Sequence, residues 1–152
     1  VVYYTRTGKT KFVAETIAAQ LGADIEEIVD LKKRQGTLGW IISGKDATRQ
    51  NLTEIAKIKK TPADYDLILI GTPIWAWKPT PAIRTYISQN NQSGKKVALL
   101  YTFENRIKQA SEETKALLPD TTIMSELSLV NPLANKEDTE KKIIAWCNTL
   151  KG

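Results

Sequence analysis

The sequence predicts an α/β protein of one domain, in which helices cover both faces of a five-stranded parallel sheet. Strand-like apolar segments alternate with helical patterns along the whole chain, as they do in consecutive βαβ units. Residues 67–70 are continuously apolar, which is typical of a central parallel strand that is buried on both faces. The length of 152 residues suits one domain, so we expect residues 1–152 to fold as a single unit.

The composition indicates an ordinary globular protein and excludes some kinds of site. Hydrophobic residues make up 41% of the chain and charged residues 26%. No apolar run is long enough to span a bilayer, no signal peptide is recognisable, and Cys147 is the single cysteine. These features predict a cytoplasmic protein with no membrane partner and no internal disulfide. The chain has no histidine, which excludes a histidine-based triad or metal site, and we predict no metal.

The net charge of +5 raises the question of nucleic-acid binding. Basic residues are scattered beside apolar or acidic neighbours, in the short groups 32–34, 57–60, 95–96 and 141–142. No recognised nucleic-acid motif accompanies them. We therefore predict no nucleic-acid partner.

The front of the chain reads as a strand, a turn and a helix. Residues 1–4 are apolar or aromatic and predict a buried strand. From Phe12 to Leu21 apolar residues recur at helical spacing, and Gly22 is expected to end the helix. The turn between them consists of Thr5, Arg6, Thr7, Gly8, Lys9 and Thr10.

This turn is suited to a phosphate group. The first N–H groups of a helix lack intrahelical partners, and the helix dipole favours an anion there. The three threonines can add hydroxyl donors, Gly8 permits close approach of the backbone, and Arg6 and Lys9 add positive charge. A nucleotide-triphosphate P-loop would need a glycine at the position of Tyr3, which excludes that motif. A capped helix that binds no ligand remains the alternative.

Residues 23–60 give weaker signals. Ala23 to Val29 predict a second strand with Ile25 and Ile28 inward. Residues 30–60 show no strong period, and loops of that length are often functional. We interpret them as a crossover with a degraded helix at residues 46–50 and a loop that could lie over a ligand.

The second half of the chain gives clearer elements. The predicted order is a third strand over 65–71, a loop over 72–81, a helix that carries Ile83, Tyr86 and Ile87, a fourth strand over 96–101, a helix over 107–118, a fifth strand over 121–130 and a last helix over 136–150. In the last helix Ile143, Ile144, Cys147 and Leu150 fall on one face, which predicts that Cys147 is a packing residue.

Three segments together resemble one family. They are Thr5-Arg6-Thr7-Gly8-Lys9-Thr10, the strand 65–70, and Gly71-Thr72-Pro73-Ile74-Trp75 with residues 79–87. In them the chain resembles a short-chain flavodoxin-like protein of the flavodoxin family. The resemblance implies a three-layer sandwich with strand order 2-1-3-4-5 and FMN as the cofactor, bound where the strand order reverses.

The resemblance also implies which residues hold FMN. Residues 5–10 would hold its phosphate. The isoalloxazine ring would be lined by Thr72, Pro73, Ile74, Trp75, Ala76 and Trp77. A second wall would be formed by Thr102, Phe103, Glu104 and Asn105. No catalytic side chain is implied.

The aromatic residues agree with this assignment, because a flat ring needs apolar faces that exclude water. Trp75, Trp77 and Phe103 can supply such faces. The alternative is that the two tryptophans merely cover the edge of the sheet. Trp40 and Trp146 are interpreted as packing residues.

The chain departs from the family pattern at three points. It is basic, it has Trp77 where many relatives have glycine, and it lacks a glycine-rich turn after the fourth strand. Residues 72–81 contain no glycine, which predicts a stiff loop, and Lys78 would add positive charge beside the ring.

We expect an FMN-binding redox protein that transfers electrons to a partner protein or a small-molecule acceptor. The alternatives are an FMN-dependent NAD(P)H:quinone-type reductase and a module of the same fold that has lost its cofactor.

Overall fold

A computed structural model of the protein describes residues 1–32, 41, 51–107 and 109–151. Within these ranges the helices are α1 (Lys9–Leu21), α2 (Pro81–Gln89), α3 (Ala110–Ala116) and α4 (Lys136–Lys151). The strands are β1 (Val2–Tyr3), β2 (Glu26–Glu27), β3 (Leu67–Trp75), β4 (Lys78–Pro79), β5 (Lys96–Phe103) and β6 (Thr122–Val130). The interpretations of Trp40 and of residues 46–50 fall outside the described residues.

The sheet has the strand order β2-β1-β3-β5-β6, and the neighbours on this path are parallel. Among the described strands, the short β4 pairs with β3 alone, and it does so antiparallel. Without β4 the order is 2-1-3-4-5, so the predicted topology is confirmed. The order reverses between β1 and β3, and their carboxyl ends therefore border a crevice.

Two apolar clusters lie on opposite faces of the sheet, because successive strand residues point to opposite sides. Ile70 and Leu99 pack with Ile83 and Tyr86 of α2 on one face. On the other face the cluster consists of Val13, Ile17, Leu69, Ala98, Leu100, Leu129, Ile143, Trp146 and Cys147. This arrangement confirms the prediction of helices on both faces and the packing role of Cys147.

The first helix ends as the sequence predicts. Gly22 follows Leu21 with φ 59°, and the N–H of Ala23 donates to the carbonyl of Ala18 at 2.9 Å. A left-handed residue at this position is the usual end of a helix and favours glycine. Three predicted elements are shorter in the structure than expected, and the first of them is β1, which covers only Val2–Tyr3 and not residues 1–4.

The second strand covers only Glu26–Glu27 and not residues 23–29. Its partner β1 has only two strand residues, so the parallel ladder between them cannot extend further. The predicted helix over 107–118 is reduced to α3, Ala110–Ala116. The N–H of Leu117 bonds the carbonyl of Thr114 at 3.1 Å, so the last turn tightens and the helix stops.

Two central strands are longer than predicted. β3 begins at Leu67 and not at Tyr65, but it continues beyond Gly71 to Trp75, and β5 continues beyond Tyr101 to Phe103. The parallel pairing of the two strands extends to Pro73 and Thr102, which keeps both extended. Residues 72–75 and 102–103 are therefore strand ends rather than loop residues.

The last helix differs from its prediction at one position. Ile144 is 39% exposed, so its expected place on the buried face is wrong. Trp146 is buried instead, and its indole Nε1 donates to Ser125 Oγ at 2.8 Å. The packing role expected for Trp146 is confirmed. In the described part of the chain, no helix has the length and apolar character that would let it cross a membrane.

Candidate functional site

A cleft of about 390 Å³ opens at the carboxyl ends of β1, β3 and β5. Its volume falls within the range of about 300–1,000 Å³ that is usual for cofactor sites. The lining residues come from three segments: Arg6, Thr7, Lys9 and Thr10; Pro73, Ile74, Trp75, Ala76 and Trp77; and Thr102, Phe103, Glu104, Asn105 and Arg106. A cavity of only about 30 Å³ lies near the start of β3, between Leu67 and Tyr86. That space suits roughly one water molecule.

The turn before α1 is preorganised for an anion. Gly8 has φ 82°, and its N–H donates to Thr5 Oγ1 at 3.1 Å. No side chain caps α1, which lies wholly within the described residues, and its first turn holds no acid. The N–H groups of that turn thus retain their affinity for a negative group. Thr5 and Gly8 shape this turn and do not line the cleft.

Two threonine hydroxyls connect the turn to the sheet. Thr10 is buried, and its Oγ1 lies 2.8 Å from Oγ1 of Thr102. A hydroxyl has one proton to donate, so in this pair only the accepting hydroxyl keeps its proton for a ligand, and the donating one can still accept a bond. Thr72 does not line the cleft: it is buried, its hydroxyl donates to the carbonyl of Pro73 at 2.8 Å, and it accepts from the N–H of Thr80 at 3.2 Å.

Lys9 contacts a different loop. Its Nζ donates to Glu104 Oε1 at 2.7 Å and to Asn131 Oδ1 at 3.1 Å. The hydrogen bond and charge of Lys9, with a smaller effect of Arg6, lower the pKa of the Glu104 carboxyl. Asn131 follows β6, 122 residues from Lys9, and no sequence motif indicated it.

Arg6 lies against an aromatic ring. Its guanidinium carbon is 5.3 Å from the ring centroid of Trp75. Tyr4 packs edge-on against the same indole, with centroids 5.6 Å apart and planes at 82°. Arg6 and Lys9 both have partners inside the protein, so the anion affinity of the turn depends chiefly on its N–H groups and hydroxyls.

The segment predicted to be a loop after the third strand is a tight hairpin. β3 and β4 pair through Trp75 and Lys78, so Ala76 and Trp77 are the two central residues of the turn. Both have positive φ, 47° and 62°. Positive φ at both central residues is typical of the type I′ turn of two-residue hairpins, which favours glycine, asparagine or aspartate there. Each residue in this conformation costs about 1–2 kcal/mol.

This strain lies where the cleft opens to solvent, and Trp77 is 47% exposed there. Strained backbone is frequent at ligand sites, where the surrounding structure maintains it. Lys78 does not add charge beside the cleft as expected. Its Nζ donates to both carboxylate oxygens of Glu113, at 2.8 and 3.0 Å, and the pair is largely buried.

The structure brings together most of the residues predicted from sequence. All of them line the cleft except Thr5, Gly8 and Thr72, which support its walls. Arg106 also lines the cleft and was not predicted. It directly follows the predicted wall of residues 102–105, so a longer segment would have included it.

A parallel sheet of order 2-1-3-4-5 between two layers of helices, with a cleft where that order reverses, is the arrangement of the flavodoxin class of folds. The family model described as Flavodoxin matches residues 1–150. The chain therefore belongs to the flavodoxin family. No protein of curated function matches it.

Solved structures agree on the fold. A protein from Bacteroides eggerthii DSM 20697, assigned to the flavoproteins, is 24% identical with a TM-score of 0.78, over 99% of this chain and 96% of that one. A Lactobacillus acidophilus NCFM flavoprotein in complex with FMN is 21% identical with a TM-score of 0.73, over 88% and 93%. Oxidised flavodoxin 2 from Bacillus cereus is 16% identical with a TM-score of 0.60, over 97% and 94%.

Proposed function

We propose that the protein binds FMN in the cleft and transfers electrons through it. The observation that carries this proposal is that the cleft combines an uncapped helix start at one end with aromatic walls at the other. FMN has the matching chemistry, because its phosphate is an anion and its ring is flat and largely apolar. Family membership and the FMN complex of the Lactobacillus acidophilus neighbour support the choice of cofactor.

The residues present fit a phosphate at the turn. Gly8 holds the backbone in the left-handed conformation that directs successive N–H groups toward one point. Thr7 and Thr10 both line the cleft, and Thr10 is buried with its hydroxyl next to that of Thr102. We expect these groups to hold the phosphate, while Arg6 and Lys9 keep their contacts with Trp75 and Glu104.

The residues at the other end fit the ring. Trp75 already has Arg6 near one side and Tyr4 against it, so it offers less free surface than Trp77. Trp77 and Phe103 are therefore the preferred apolar faces for the ring. When bound, FMN supplies the electron chemistry, and the protein supplies orientation and a dry environment.

The electron acceptor is a partner protein or a small molecule in this proposal. The exposure of Trp77 favours the second candidate function, an FMN-dependent NAD(P)H:quinone-type reductase, because a small acceptor can reach an open mouth. Turnover of NAD(P)H with a quinone would select the reductase. If no such turnover is seen and a protein donor reduces the bound flavin, the protein is an electron carrier. We expect the protein to work in the cytoplasm, on the ground of its single cysteine.

The test of FMN binding is a titration of the purified protein followed by absorbance and flavin fluorescence. We expect a yellow complex, strong quenching, and tighter binding of FMN than of riboflavin, which lacks the phosphate. A charge-assisted hydrogen bond contributes roughly 1.5–3 kcal/mol, so the FMN preference should reach at least about tenfold. A protein that is colourless once unbound FMN has been removed would support the alternative that it has lost its cofactor.

A further inference from the structure

An ion pair outside the cleft connects the hairpin that forms one wall to α3, the helix that follows the other wall. Lys78 lies in the hairpin strand β4, directly opposite Trp75. Its Nζ contacts both oxygens of Glu113, in α3, at 2.8 and 3.0 Å. The two side chains are only 16% and 23% exposed, whereas Lys141 and Glu137 of α4 form a pair that is 70% and 79% exposed. Exposed ion pairs such as Lys141–Glu137 contribute little to stability, because solvent screens them.

The surroundings of Glu113 strengthen its role as a charge partner. Arg84 of α2 is buried, which lowers the pKa of its guanidinium, and the negative charge of Glu113 opposes that shift. Glu113 therefore compensates positive charge from two elements, β4 and α2. Removal of its charge would leave cations in a poorly hydrated region, which is strongly unfavourable.

The hairpin needs such an external restraint. Its antiparallel ladder contains just two residue pairs, and one of them includes Pro79, which has no N–H to donate. Ala76 and Trp77 are both left-handed without being glycine. A short ladder with a strained turn is readily displaced unless neighbouring elements hold it.

The position of Glu113 in α3 lets it hold the hairpin close to the second wall, which is formed by residues 102–106. α3 begins a few residues after Arg106, at the end of the segment that forms the second wall. The ion pair thus joins the hairpin that carries Trp75 and Trp77 to the element that follows Phe103 and Glu104. Neither Lys78 nor Glu113 lines the cleft.

We propose that Glu113 is a positioning residue for the cofactor ring, and that it acts by holding Lys78 and so the hairpin. This inference rests on the proposed function, because it assigns the ring to the space between the hairpin and Phe103. Glu113 sets the width of that space without contacting the ring. Removal of the Glu113 charge should therefore weaken the binding of every ligand that contains the ring by the same factor. This loss of affinity should not depend on whether the ligand carries a phosphate.

The variant Glu113→Gln tests this, because it keeps the side-chain size and removes the charge. We expect the affinities for FMN and for riboflavin to fall by the same factor, about tenfold. A change of this size is usual for substitutions of residues that influence a ligand without contacting it. The visible absorbance band of the bound flavin should shift as well, since the ring meets a different wall. The matched control is Glu137→Gln, which removes an exposed partner on α4 and should change neither affinity nor spectrum.

A double-mutant cycle with Lys78→Gln separates positioning from general destabilisation. The double variant should bind no more weakly than either single variant, because the pair acts as one unit. If Glu113→Gln does not fold, Lys78→Gln alone must show the equal loss for both ligands. Unchanged affinities, or a loss confined to FMN, would overturn the proposal. Failure of the unmodified protein to bind either flavin would instead overturn the proposed function.

Discussion

At the scale of single residues, Gly8 sets the conformation of the phosphate turn. Its φ of 82° is left-handed, and a Cβ built there would meet no atom within 4 Å. The cost of Gly8→Ala is therefore conformational, about 1–2 kcal/mol in the free energy of unfolding. We expect this variant also to lose affinity for FMN while its affinity for riboflavin stays, because the N–H groups of the turn no longer converge.

Gly22→Ala provides the matched control for this prediction. Gly22 has φ 59° and equally open surroundings, but it lies at the far end of the same helix. Urea unfolding should show similar destabilisation for the two variants. Flavin titrations should show a reduced ratio of FMN to riboflavin affinity for Gly8→Ala alone. The same ratio in both variants would contradict the assignment of the phosphate to this turn.

At the scale of elements, the hairpin between β3 and β4 stores strain that a glycine would release. Ala76 lies at the first central position of the turn with φ 47°. Ala76→Gly should leave the free energy of unfolding unchanged or raise it by up to about 1 kcal/mol, since relief of about 1–2 kcal/mol offsets the greater freedom of the unfolded chain. Ala19→Gly, at an exposed position within α1, should instead cost about 0.5–1 kcal/mol. Equal destabilisation by both changes, in urea unfolding, would mean that the hairpin carries no such strain.

At the scale of the whole molecule, two carboxylates couple stability to pH. The pKa of Glu104 is lowered by Lys9. For Glu126, burial acts to raise the pKa, but hydrogen bonds from Ser111 and Lys115 outweigh it and the net shift is downward. Folding thus lowers both pKa values below the ordinary 4.5. Their contribution to stability is present above that value and is lost as pH falls through the folded-state values.

We therefore expect the free energy of unfolding to decrease below about pH 4.5, as measured by urea unfolding at a series of pH values. Glu104 is 73% exposed, so its share should be under about 1 kcal/mol. Glu126 is only 29% exposed. Glu126→Gln should therefore reduce the loss of stability at acid pH more than Glu104→Gln does. If neither variant changes the decrease of the free energy of unfolding below about pH 4.5, other groups are responsible for the sensitivity to acid.

The sequence predicted the elements whose patterns are local. The run Leu67–Ile70 identified the central strand, and Gly22 marked the end of α1, because each signal lies within a few consecutive residues. Strand ends were predicted less well. β3 and β5 extend each other to Pro73 and Thr102, and pairing between strands that lie about 30 residues apart leaves no trace in either segment alone.

The hairpin shows why a local rule can mislead. The absence of glycine from residues 72–81 predicted a stiff loop, because other residues resist the left-handed conformation. The structure has two left-handed residues there, Ala76 and Trp77, because the pairing of Trp75 with Lys78 leaves just two residues to reverse the chain. Tertiary pairing overrides the intrinsic preference when its contacts exceed the cost of one or two strained residues.

The sequence by itself determined the fold class, the strand order implied by its resemblance, and most of the residues that line the cleft. Only the tertiary structure decided where the charges go. Lys9 turns to Glu104 and Asn131, which are 95 and 122 residues away, and Lys78 turns to Glu113 across 35 residues. Hydrophobic period and turn chemistry act over a few residues and can be seen in the chain, whereas an ion pair depends on distances that exist only after the sheet and helices have packed.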